Sequence, residues 1–178
     1  MIDFISDIRE QPWRPVNLVT GVSFLATMAV LAWLIKTYGG FIPVIDHANL
    51  AFHEAGHLFF MPFGKTASLY GGTLGQLLMP LIVATVFWKQ RNTVSFALAL
   101  AWFFQNFFNI ARYMADARAR ELPLVGGGDH DWVNIFYQWN SLSQDVVIAS
   151  NTSMIGAAGL FLVTLWLLWR WLNSDQTG

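Results

Sequence analysis

Residues 16–35 read Val16-Asn17-Leu18-Val19-Thr20-Gly21-Val22-Ser23-Phe24-Leu25-Ala26-Thr27-Met28-Ala29-Val30-Leu31-Ala32-Trp33-Leu34-Ile35, twenty residues without a charge. A helix of that length rises about 30 Å at roughly 1.5 Å per residue, the thickness of bilayer hydrocarbon. Residues 66–88, 92–111 and 146–169 are equally free of charge. Trp and Tyr stand near several of their ends, where interfacial anchors belong. The whole chain agrees: 178 residues, 55% hydrophobic and 12% charged, with a mean hydropathy of +0.45, against roughly 25% charged in a soluble domain. These observations predict an all-α fold, a single polytopic membrane bundle of about five hydrophobic helices over 16–37, 45–61, 73–88, 92–114 and 146–172.

The same composition excludes several classes. Ten basic residues against eleven acidic ones leave a net charge of −1 with no basic patch, so nucleic acid is not an expected partner. Membrane lipid is. With no cysteine, disulfides, thiolate metal sites and cysteine nucleophiles are out, and any metal falls to His, Asp or Glu. Residues 1–15 carry Asp3, Asp7, Arg9, Glu10 and Arg14; they lack the apolar core of a secretory signal and read as an interfacial segment.

Residues 45–61 differ from the other apolar stretches. They are shorter, contain His47, His53, Glu54 and His57, and stop at Pro62 and Gly64, as a helix shielded by its neighbours would. The segment 65–75, with Gly71, Gly72 and Gly75, reads as a turn or re-entrant loop, which at membrane depth must be covered by protein or line a cavity. Pro80 beyond it removes a backbone donor and predicts a kink. A long polar connection, 114–145, carries Asp116, the run Gly126 to Gly128 and Asp129-His130-Asp131-Trp132. If five helices cross, six basic residues (Arg9, Arg14, Lys65, Arg112, Arg118, Arg120) share one side and four (Lys36, Lys89, Arg91, Arg170) the other. That bias predicts a cytoplasmic N-terminus in an inner or plasma membrane.

His53-Glu54-Ala55-Gly56-His57 carries the chemistry. Histidines at i and i+4 share one helical face and can both reach one zinc ion, and the intervening carboxylate is placed to act as general base. Zinc lowers the pKa of a bound water to about 7, and Glu54 can accept its proton and later pass it to a leaving amine. Polar groups in so apolar a helix cost about 2.5 to 3.5 kcal/mol each at a bilayer centre, which argues against an incidental match.

Of four histidines, His130 is the leading candidate for a third ligand, with Asp131, Asp116 and Asp129 as alternatives, because two histidines plus a carboxylate is a common zinc set. Asp131 can also orient the His130 ring. His47 lies about 120° from the ligand face; Asp46 shares that face but reads equally as an N-cap. On the fourth hydrophobic helix Gln105, Asn109, Arg112 and Asp116 form one polar stripe at spacings of four, three and four, and should face the bundle interior or a water-filled cavity. Asn109 and Gln76 are candidates for supporting the ligands or positioning substrate.

On the motif and its apolar setting, the middle of the chain resembles the site-2 protease group of intramembrane metalloproteases. The resemblance implies a zinc enzyme that cleaves peptide bonds within or near the membrane, is fed water from the cytosolic side and uses Glu54 as base. That group usually draws its third ligand from a Leu-Asp-Gly tripeptide, which does not occur here; Asp129-His130-Asp131-Trp132 stands in the corresponding later part. Two other readings fit the residues: a membrane zinc hydrolase acting on a lipid or small amphipathic molecule, and a non-catalytic metal-binding subunit.

Overall fold

A computed structural model describes residues 11–124 and 129–173, and every regular element among them is helical. Six α-helices follow in order: α1 (Leu18–Thr37), α2 (Ile45–Phe60), α3 (Lys65–Lys89), α4 (Thr93–Ala115), α5 (Asp131–Gln138) and α6 (Asp145–Leu172). Single 3₁₀ turns at Met61–Phe63 and Leu142–Gln144 precede α3 and α6. The interfacial segment expected at 1–15 falls outside the described residues as far as residue 10, and so does the run Gly126 to Gly128.

Four helices, α1, α3, α4 and α6, are long and apolar enough to cross a membrane. Their outward faces agree, with Leu18, Phe161 and Leu162 more than 60% exposed, surface that water would penalise and lipid does not. Side-chain caps start two of them: Asn17 Oδ1 accepts from Thr20 N–H at 2.9 Å, and Asn92 Oδ1 from Ser95 N–H at 3.2 Å, each satisfying an orphan donor of the first turn.

Of the five helices expected to cross, four are long and apolar enough, and α2 is not among them. Its sixteen residues span about 24 Å, short of the hydrocarbon thickness. After α1, Gly39 and Gly40 adopt φ of 59° and 90°, and the chain passes so close to α4 that a Cβ on Gly40 would lie 2.8 Å from the Phe108 carbonyl oxygen. It reverses at Val44, φ 76°. α2 then starts beside Gln105, well inside α4, and runs antiparallel to α3 until His57 meets Ser68 near the start of that helix. If those four helices cross, the basic residues among the described ones divide five (Lys36, Lys65, Arg112, Arg118, Arg120) against four (Arg14, Lys89, Arg91, Arg170). The charge bias that predicted a cytoplasmic N-terminus disappears.

The glycine-rich segment is not a turn or re-entrant loop: it forms the first turns of α3. Its glycines serve close approach. A Cβ on Gly56 would lie 2.1 Å from the Gly71 carbonyl oxygen, and one on Gly75 would lie 2.4 Å from that of Phe52, so α2 and α3 touch backbone to backbone as small residues permit in lipid. Gly156 and Gly159 likewise admit the Phe104 side of α4 against α6. Pro80 stays inside α3, buried.

Two apolar clusters fill the interior. One joins Phe24, Met28 and Leu31 of α1 to Ala97 and Ala101 of α4 and Val163 and Leu167 of α6. The other lies at the opposite end, where Trp132, Val133, Ile135 and Phe136 of α5 pack on Ile110, Ala111 and Met114 of α4 and Ala149 of α6. The connection expected to be a polar loop thus contains an amphipathic helix driven into the core. Arg118 clamps its approach: Nε and Nη2 donate to Asp145 Oδ1 at 2.9 and 2.8 Å.

Candidate metal centre

Helical spacing puts His53 and His57 on the face of α2 that meets α3, with ring centroids 4.8 Å apart and planes at 80°. The Nδ1 atom of each ring has an oxygen partner. His57 Nδ1 lies 2.7 Å from the Ser68 carbonyl oxygen, an atom that only accepts, so Nδ1 carries a proton and Nε2 of the neutral ring is the nitrogen free to bind a metal. His53 Nδ1 lies 3.1 Å from Gln76 Oε1, which holds that ring in the same tautomer. Ser68 is secured in turn by its hydroxyl, which donates to the His57 carbonyl at 3.0 Å.

Asp131, first residue of α5, closes the group. Its Oδ2 is 2.9 Å from His53 Nε2 and 3.2 Å from His57 Nε2, and its backbone N–H donates to Tyr113 Oη at 3.2 Å. The three potential ligand atoms lie within 4.8 Å of one another. Two imidazole nitrogens and a carboxylate oxygen converging this closely need a proton or a metal ion among them: His53 Nε2 is within hydrogen-bonding distance of Asp131 Oδ2, and the same three atoms can hold a metal.

Gly72 of α3 supplies the room. A Cβ there would fall 2.5 Å from Nε2 of both histidines, so the missing side chain leaves open the space that the two nitrogens face. The histidines, Glu54 and Asp131 border a cavity of about 1000 Å³. Glu54 is half-buried on its wall, and Phe41, Met61, Leu69, Leu122 and Leu124 give the cavity apolar sides.

The structure separates the candidates for the third position. Asp131 joins the histidines. His130 does not: it is buried, stacks on Tyr113 at 4.2 Å and 27°, and turns Nε2 toward Asp116 Oδ2, 3.4 Å away. Burial holds its imidazole below the ordinary histidine pKa, against the pull of Asp116 and Asp131. Asp116 is occupied with loop geometry, accepting from the Glu121 and Leu122 N–H groups at 2.9 and 3.2 Å. Asp129 is exposed at the edge of the cavity. Gln76 orients His53, and Asn109 lines the cavity without touching the ligands.

His47 packs edge-on against Phe41 at 5.3 Å. Asp46 lies within the first turn of α2, where its carboxylate accepts from Ile42 N–H, Asn49 Nδ2 and Gln105 Nε2. Sequence reasoning missed Gly72, Ser68 and Tyr113. The Gly71-Gly72 pair was a signal for the first, but a backbone carbonyl such as that of Ser68 carries none.

Two imidazoles and one carboxylate, with both Nδ1 atoms directed to oxygen, form a donor set that could hold a metal ion. Comparisons with family models, curated proteins and solved structures find no match for the chain.

Proposed function

We propose that this chain is a membrane-embedded zinc metalloprotease, its metal held by His53, His57 and Asp131. The observation that carries the reading is the convergence of two imidazole nitrogens and a carboxylate oxygen within 4.8 Å of one another, with Gly72 leaving space beside the two nitrogens. Held by these three residues, zinc would supply Lewis acidity and would lower the pKa of a bound water to about 7. Glu54, on the wall of the same cavity, would accept the water's proton and return it to the leaving amine. Gln76 and the Ser68 carbonyl hold the imidazoles in the ligating tautomer, and Tyr113 fixes the backbone of Asp131. The cavity's apolar sides suit an extended hydrophobic peptide, and the resemblance to the site-2 protease group favours an amide as the bond cleaved.

Glu54→Gln separates catalysis from metal binding. The expected result is a zinc content equal to the parent's, with proteolysis of a membrane-anchored reporter peptide reduced at least 100-fold, as loss of a general base demands. Parent-like cleavage by this variant would overturn the proposal.

A further inference from the structure

Arg112 lies one helical turn beyond Asn109 on α4, next to Tyr113, and lines the same cavity as Glu54 and the two histidines. It is half-buried, with its guanidinium over the Phe41 ring at 5.3 Å. An arginine near the end of a spanning helix ordinarily extends toward headgroups and water; this one is turned inward. Asp46 borders the cavity too and is close enough to interact with the Arg112 charge, but its oxygens hydrogen-bond to Ile42 N–H, Asn49 and Gln105 and not to the guanidinium. Among the described residues no carboxylate comes within ion-pair distance of Arg112, and its five N–H donors make no hydrogen bond. A guanidinium kept in a cavity at such cost is matched to a planar anion, which it grips through two parallel N–H···O bonds.

We infer that Arg112 is a substrate-binding residue that receives a carboxylate of the peptide, so that the site selects acidic or chain-terminal segments. The inference rests on the proteolytic reading for its substrate and deepens it. Two sources supply the group, a C-terminal carboxylate and a Glu side chain. Both enter the test.

The measurement is equilibrium binding to the full chain in detergent, zinc-loaded and carrying Glu54→Gln so that no probe is consumed. Three probes are used: acetyl-Leu-Ala-Phe-Leu with a free carboxylate, the same peptide as C-terminal amide, and acetyl-Leu-Glu-Phe-Leu amide. At least one carboxylate probe is expected to bind ten or more times tighter than the neutral amide. Arg112→Gln should bring the ratio within twofold, and Arg112→Lys, which keeps the charge but not the fork, should leave an intermediate preference; zinc content reports that each variant is folded. Preference for the free acid alone assigns the carboxylate to a chain terminus, and preference for the Glu probe to a side chain.

Equal or undetectable binding of all three, or a preference that survives Arg112→Gln as direct ligation of the metal would produce, overturns the inference. Failure of the proteolytic reading looks different: the parent would bind the carboxylate probe through Arg112 and never cleave it. Cleavage with no carboxylate preference would leave that reading standing and remove this one.

Discussion

Substituting Gly72 by alanine adds one methyl group to the most demanding point of the site. The new Cβ would lie 2.5 Å from Nε2 of His53 and of His57. Ordinary Cβ contacts begin near 3.4 Å, so the rings or the helix must move by roughly 0.9 Å, whereas metal–ligand distances tolerate about 0.2 Å. Loss of an orienting partner alone weakens metal binding about 10- to 100-fold. Displacing two ligands should reach the upper end, about 100-fold or about 2.8 kcal/mol at 1.4 kcal/mol per decade. The clash is with ring tips and not with backbone, so the apo fold should survive. Alanine even favours a helix interior over glycine by about 0.5 to 1 kcal/mol. The assay pairs zinc affinity, by competition with a chelator of known strength, with the thermal midpoint of the apo protein in the same detergent. Parent-like zinc affinity would refute placing the metal over Gly72. So would collapse of the apo fold, since the glycine would then serve packing alone.

Asp131→Asn should lower zinc affinity at least tenfold, while His130→Gln leaves it within about twofold; inductively coupled plasma analysis after dialysis against a zinc buffer measures both. Gln76→Leu removes the acceptor on His53 Nδ1 and should weaken zinc about 10- to 100-fold without loss of fold, read by the same competition assay. Gly75→Ala reverses the pattern seen for Gly72: its Cβ would meet the Phe52 carbonyl oxygen at 2.4 Å, backbone that cannot step aside, so the apo melting midpoint should fall. Trp102→Phe deletes the Nε1–H that Asn49 Oδ1 accepts at 2.8 Å and should cost about 1 to 3 kcal/mol for the acceptor left without its donor, visible as a lower denaturation midpoint.

Much of the fold was legible because four charge-free stretches of spanning length have one stable form in lipid: each must satisfy its own backbone as a helix. The glycines between residues 71 and 75 were harder. Glycine permits both a turn and a close helix contact, and only the partner surface, Gly56 on α2, distinguishes them. The helical part of the polar connection was obscured by its polar flanks, although Trp132, Val133, Ile135 and Phe136 recur at intervals that place all four against the core.

Local spacing by itself determined the pair His53 and His57 and the carboxylate between them, since a shared helical face follows from 3.6 residues per turn whatever the surroundings. It determined the four long apolar helices for the same kind of reason, length against bilayer thickness. The third member of the cluster, the floor at Gly72 and the reversal of α2 were decided by tertiary structure. Asp131 and His130 are adjacent in the chain, and which one reaches the histidines depends on α5 burying Trp132 and Phe136. That packing leaves His130 stacked on Tyr113 and aims the next side chain at α2, and no rule of sequence spacing contains the orientation of a helix against neighbours so distant along the chain.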